Sequence, residues 1–351
     1  MAVPLIRSAS ALARAVAIKG ALALGVAAGL TGASAAAPQV AAAQELAPPC
    51  PWSAAGKAHP AETETARDGR TRGPVDIIGP HIRDSHELDL PMWKLPFVCT
   101  WQLPRWQPVT VGSLSIDLSP TKHVIAMLFA STLCLITLLS AASFHRRHLD
   151  NPAPPRGLAA GVESMVLYLR QNVVLPNVGP HGDIYTNFIL TIFFFILFCN
   201  LVGLFPYGST ATGNVSVTLS LALISFVVIE ISGMISLGSK YWSTIFYWNH
   251  DLPIFVRIPM FLLMTPLELV SKFTKPFALT IRLFANMTAG HVVLLALISL
   301  IFTFANVFVI PGPFIMAVAI SFLELFVAFL QAFIFALLTA VFIGQIRQAA
   351  H

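Results

Sequence analysis

Two apolar tracts, residues 253–306 and 313–347, constrain this chain more than anything else in it. They are separated by Pro311-Gly312-Pro313, residues that stop helices and make turns. A helix crosses lipid in about 20 apolar residues, and the hydrocarbon core is about 30 Å thick. At 1.5 Å per residue even the shorter tract extends about 52 Å. The two tracts therefore fold back as a hairpin that tilts strongly, bends at Pro259, Pro266 and Pro276, or protrudes. Tilt accommodates both members of an overlong hairpin at once.

Three shorter spans precede it, at 124–144, at 185–205 before Pro206, and at 215–237. Only 11% of the residues are charged, and 26 of those 37 side chains lie in residues 1–175. A soluble domain carries about 25% charge. This excludes a soluble enzyme, a disulfide-stapled secreted domain and a nucleic-acid binder. Residues 158–172 place Leu158, Val162, Met165, Val166 and Leu169 on one helical face, with Glu163 and Arg170 off it. That helix is too polar to span and is expected on the membrane surface. The expected fold is an all-α membrane protein with five membrane helices plus one surface amphipathic helix, the last two spans forming a long, strongly tilted hairpin. The membrane domain is expected over residues 111–351.

Basic residues orient the set. Arg146, Arg147, Arg156, Lys240, Arg257 and Arg347 fall on one side, and the loops at 206–214 and 307–313 carry none. The N-terminus is expected outside and the C-terminus in the matrix or cytoplasm. Arg7, Arg14 and Lys19 precede the first acid, Glu45, in an Ala-rich stretch that also holds Ser8 and Ser10. This is the pattern of a mitochondrial presequence. The rival is a bacterial secretory signal with an apolar core at 21–30 and small residues at 33–35. Residues 45–122 are rich in Pro, Gly and charge, so the presequence reading makes 1–110 a leader and disordered segment with an uncertain cleavage point.

Ionisable residues inside a span cost about 2.5–3.5 kcal/mol at the helix centre and read as functional. The hairpin holds Glu268, Lys272, Lys275, Arg282 and His291 on one helix and Glu324 on the other, with Asn286 and Gln331 as polar neighbours. At 100° per residue Arg282 and Asn286 share a face, Glu268 lies about 40° away, and His291 looks the opposite way. Facing residues of an antiparallel pair have a constant index sum. Arg282 with Gln331 gives 613 and His291 with Glu324 gives 615, both of which put the turn near residue 307. One polar layer thus holds Arg282 and Gln331, and a second lies about 13 Å nearer the outside. Glu268 is about 21 Å away in the other direction. No carboxylate of this chain shares the depth of Arg282, so its counter-charge is expected on another subunit. Lys272 and Lys275 lie near the inner surface, where long stems snorkel to water. Glu230 is open between structural hydrogen bonding and a pathway role.

The chain has no GxxxxGK[ST], HExxH or GxSxG motif, so nucleotide or hydrolytic chemistry is expected elsewhere. Cys50, Cys99, Cys134 and Cys199 are scattered and read as reduced thiols. His145-Arg146-Arg147-His148 reads as a solvated helix flank rather than a metal site. No cofactor is expected.

The stretch Ile281-Arg282-Leu283-Phe284-Ala285-Asn286-Met287-Thr288-Ala289-Gly290-His291 resembles the fifth-helix signature of subunit a (ATP6) of F-type ATP synthases. Gln331-Ala332-Phe333-Ile334-Phe335 resembles its last helix. Asn200-Leu201-Val202-Gly203-Leu204-Phe205-Pro206 and Val217-Thr218-Leu219-Ser220 resemble its middle hairpin. The basic leader would suit a nuclear-encoded, green-algal type. The resemblance implies a proton-channel subunit of the CF(0)-type sector in the mitochondrial inner membrane, not an enzyme in its own right. Its partners would be the c-ring, the peripheral stalk and other Fo subunits, the F1 sector indirectly, and lipid; nucleic acid would not be among them. It implies that Arg282 separates two half-channels and faces the ring carboxylate, with Gln331 and Asn286 as polar support. His291 and Glu324 would line the outer half-channel and Glu268 the inner one. An independent proton-coupled secondary transporter is the alternative, but it predicts a repeat symmetry between halves that the sequence lacks.

Overall fold

The computed structural model describes residues 87–91, 98–103, 109–111, 114–116, 119–147, 157–179, 182–204, 210–246, 253–304 and 310–348. The leader and disordered segment expected over residues 1–110 lies outside them through residue 86. Among the described residues, five helices are long and apolar enough to span: α1 (Lys122–Arg147), α4 (Asp183–Gly203), α5 (Val215–Leu237), α7 (Ile254–Phe304) and α8 (Pro311–Gln348). Between the first two lie α2 (Leu158–Tyr168), a π-helical turn at Leu169–Val174, and α3 (Leu175–Val178). A short α6 (Tyr241–Ile245) follows α5. The five expected spans are therefore present, with the surface segment where amphipathicity put it.

Upstream stands something the sequence reading had not anticipated. Strands β1 (Glu87–Pro91) and β2 (Val98–Gln102) pair antiparallel, as do β3 (Val109–Val111) and β4 (Leu114–Ile116). Strands of three to five residues leave too few alternations for a periodicity argument to detect.

The surface segment changes helical register at Arg170, whose carbonyl accepts from the Leu175 N–H, five residues on. Pro176 follows immediately, and a proline has no N–H for the ordinary i→i−4 bond. Gly179, at φ 79, ends α3 in a conformation that only glycine adopts freely. Asp183 then begins α4, with Oδ1 3.0 Å from Nη2 of Arg170.

The spans pack in constant register. On α7 and α8, the Asn286–Gln331 hydrogen bond and the Lys275–Phe342 contact each give an index sum of 617. The approach of Gly290 to Glu324 gives 614. The hairpin thus stays paired over about 23 Å of helix. Phe226 with Phe273 and Glu230 with Lys272 align α5 against α7 in the same way, at 499 and 502.

Helix association in lipid depends on close packing rather than on a hydrophobic drive, and small residues permit it. On α8, Ala328, Ala332, Ala336, Ala340 and Gly344 recur every four residues, and all are buried. At the end of this stripe a Cβ on Gly344 would run into the backbone carbonyl of Asn177 on α3. Beside it, Arg347 donates to the Val178 carbonyl at 3.3 Å. Gly344→Val is expected to destabilise the chain by about 1–3 kcal/mol through overpacking against backbone that cannot move aside. The check is the yield of folded chain from membranes relative to Gly312→Val, where a Cβ meets nothing within 4 Å.

Candidate functional site

Along α7, Pro276, Leu279, Leu283, Met287 and His291 form a buried stripe at spacings of three and four. Leu279 and Leu283 share the core cluster with Ala332, Phe335 and Ala336 of α8. Arg282 lies one residue off that stripe and is exposed, with Ala278, Ile281, Ala285, Asn286 and Ala289 around it. Across the hairpin, α8 exposes Phe322, Leu323, Phe326, Phe329 and Leu330. The expected opposition of Arg282 and His291 is observed, since His291 is buried at 7% exposure.

Among the described residues Arg282 makes no hydrogen bond or ion pair. Gln331, expected at its depth, is held one helical turn along: Asn286 Nδ2 donates to Gln331 Oε1 at 3.0 Å. Gln331 is almost wholly buried, and its Nε2 has no protein partner among the described residues. The three residues form a middle layer: a cation at the apolar surface with an amide pair behind it.

A second cluster lies toward the C-terminal end of α7 and the N-terminal end of α8. Glu324 is buried, its Oε1 lacks a protein partner among the described residues, and a Cβ on Gly290 would stand 3.0 Å from that oxygen. The glycine before His291 therefore makes room for the carboxylate of Glu324. Thr288 contributes another buried hydroxyl without a partner among the described residues. Asn200, wholly buried on α4, donates from Nδ2 to the Ala328 carbonyl at 3.3 Å and accepts from Thr212 Oγ1 at 2.8 Å. Asn200 and Thr212 are not among the site residues expected above. An Asn inside an apolar run was the available signal, because a buried amide requires partners.

A third cluster lies toward the end carrying Lys240, Arg257 and Arg347. Glu268, Glu230, Lys272, Lys275, Thr244 and Gln345 line a cavity of about 190 Å³ between α5, α6, α7 and α8. Lys272 Nζ is 3.0 Å from Glu230 Oε2 and donates to Tyr241 Oη at 3.0 Å, above the tyrosine ring. Only 9% of its side chain is exposed, so it does not snorkel. Burial of both charges is tolerable here because the pair is close and further hydrogen-bonded. Lys275 instead lies over the Phe342 ring, 4.9 Å from its centroid.

Among the described residues, five helices of spanning length and composition with an exposed arginine between two polar clusters are the architecture of a multi-pass membrane protein. The family model described as ATP synthase A chain matches residues 124–344, which include every residue of the three clusters except Gln345. A protein of Chloroherpeton thalassium called ATP synthase subunit a is 41% identical over 266 residues, covering 76% of this chain and 74% of its own length. One of the same name from Anaeromyxobacter dehalogenans is 38% identical over 300 residues, covering 83% of this chain and 76% of its own. ATP synthase subunit a 2 of Chlorobium luteolum is 40% identical over 272 residues, with 77% and 74% covered. The chain belongs to the ATP synthase A chain family.

Proposed function

We propose that this chain is the proton-translocating a subunit of the Fo sector of an ATP synthase, a channel component with no nucleotide site of its own. The carrying observation is Arg282: a permanent cation on an exposed apolar face, with no partner among the described residues. Guanidinium stays charged at any working pH, and a charge at membrane depth requires a counter-charge. Ala278, Ala285 and Ala289 leave room for another helix to approach it. A ring of c subunits, each carrying a mid-membrane carboxylate, fits that requirement.

Protons would enter past His291 and Glu324, neutralise a ring carboxylate, travel round, and leave past Glu268. The two clusters lie on opposite sides of Arg282 along α7, and its positive charge stands on the direct route between them. That supports two offset half-channels, since a proton can cross only by riding the ring. The driving force is about 2.3 kcal/mol per charge per 100 mV, so several protons are needed per ATP. A transporter working alone would leave Arg282 facing lipid.

Which membrane holds the complex depends on the leader. The named relatives are bacterial, and the match to the Anaeromyxobacter protein must begin no later than about residue 61 to cover its stated share. Both facts support the secretory-signal alternative and a bacterial plasma membrane over a mitochondrial inner membrane. The basic end of the bundle would then face the cytoplasm.

Gentle-detergent purification from native membranes, with mass spectrometry of partners and N-terminus, tests all of this. Recovery of c subunits and an F1 head is expected, with a mature N-terminus near residue 36. Recovery of the chain alone would remove the ring from the argument. A mature start between about residue 40 and residue 110 would restore the presequence reading.

A further inference from the structure

Glu268 and Lys272 stand four residues apart on α7 with the carboxylate first, the order and spacing at which opposite charges pair best on a helix. Both line the cavity at the basic end. That pair does not form. Lys272 Nζ turns to α5 and lies 3.0 and 3.3 Å from the two carboxylate oxygens of Glu230, with Tyr241 Oη as its remaining acceptor at 3.0 Å. Glu268 has no hydrogen bond or ion pair among the described residues.

The cavity holds two carboxylates and two ammonium groups, Glu230, Glu268, Lys272 and Lys275, and is formally neutral. Pairing, not net charge, decides which carboxylate is available. Lys275 is held over the Phe342 ring, two turns from Glu268. Lys272 is thus the cation best placed to quench Glu268, and Glu230 is what keeps it away.

We propose that Glu230 is a positioning residue for proton exit: by holding Lys272 across the α5–α7 contact, it leaves Glu268 unpaired in the lining of the basic-end cavity. The proposal rests on the reading of Glu268 as the exit carboxylate. Without Glu230, the Lys272 ammonium keeps only a neutral phenol as acceptor, and the nearest carboxylate along its own helix is Glu268. Pairing there would hold Glu268 ionised and tethered, unable to take up and release protons.

The test uses inverted membrane vesicles with the complete ATP synthase, reading passive proton flux after removal of F1. Glu230→Gln keeps shape and removes charge; flux is expected to fall about tenfold, equivalent to about 1.4 kcal/mol. Lys272→Gln in the same chain removes the intruding cation, and flux is expected to return to within about twofold of the parent. A purely structural pair would give a double variant no better than Glu230→Gln, and that result overturns the proposal. So does an unchanged flux in Glu230→Gln. Glu230→Asp guards against failure to assemble: it retains the charge and is expected to lose far less flux than Glu230→Gln, and an equal loss counts against the idea. Glu268→Gln, measured alongside, separates the two levels. Unchanged flux there removes the exit reading itself, whereas lost flux with an unrescued double removes only the role of Glu230.

Discussion

Arg282→Ala is expected to abolish proton-driven ATP synthesis, to below about 1% of the parent, a loss of more than about 2.7 kcal/mol in the coupled step. The chain itself should survive the change. Arg282 is exposed and makes no hydrogen bond or ion pair among the described residues, so removing it opens no cavity and orphans no partner. Alanine is also the best helix former. The loss would therefore lie in function and not in folding, and a blot for assembled complex should show normal amounts. Arg282→Lys is expected to fail as well: an ammonium loses its proton readily when desolvated, and it cannot hold the fixed charge that the guanidinium keeps. Coupled synthesis retained in Arg282→Ala would sink the rotary mechanism.

The second large effect is expected at the cluster of Glu324 and His291. Glu324→Gln should lower ATP-driven proton pumping by about tenfold or more, in the range that a positioned acid–base group contributes. His291→Ala should do the same. Exchanging the two, with Glu at 291 and His at 324, is expected to be milder than either single change. The structure gives a steric reason. Gly290 leaves open the space against which the Glu324 carboxylate lies, 3.0 Å from where a side-chain carbon would stand. An imidazole at position 324 can use that same space. Pumping lost additively in the exchange would argue that the two residues do not share a proton.

Lipid makes apolar run length a direct measure of a span, and so the membrane fold was legible. The third span was placed at 215–237, which is α5 as observed, and the second lies two residues from its expected bounds. Index sums of 613 and 615 anticipated a hairpin that keeps sums of 614 to 617. The Glu230–Lys272 pair was not legible. A lysine near a membrane surface can reach water or a carboxylate, and only the register of α5 against α7 decides between them. Gly344 was invisible for a different reason. What it touches is the backbone of α3, and a backbone approach leaves no residue type in the partner to be read. Strands β1 to β4 were too short for any period to declare itself.

That same approach has a mechanical meaning. A rotor turning against the exposed face of α7 and α8 would drag the hairpin sideways, and whatever yields under that drag is work lost to the product. Long side chains yield readily because they change rotamer under small forces. Backbone seated on backbone does not, and Gly344 of α8 is seated in this way on Asn177 of α3. Arg170 and Asp183 tie the surface segment in turn to α4. The end of α8 is thus braced like a beam let into a wall, and stiffness at that joint would decide how much of each proton's energy reaches the far end of the machine.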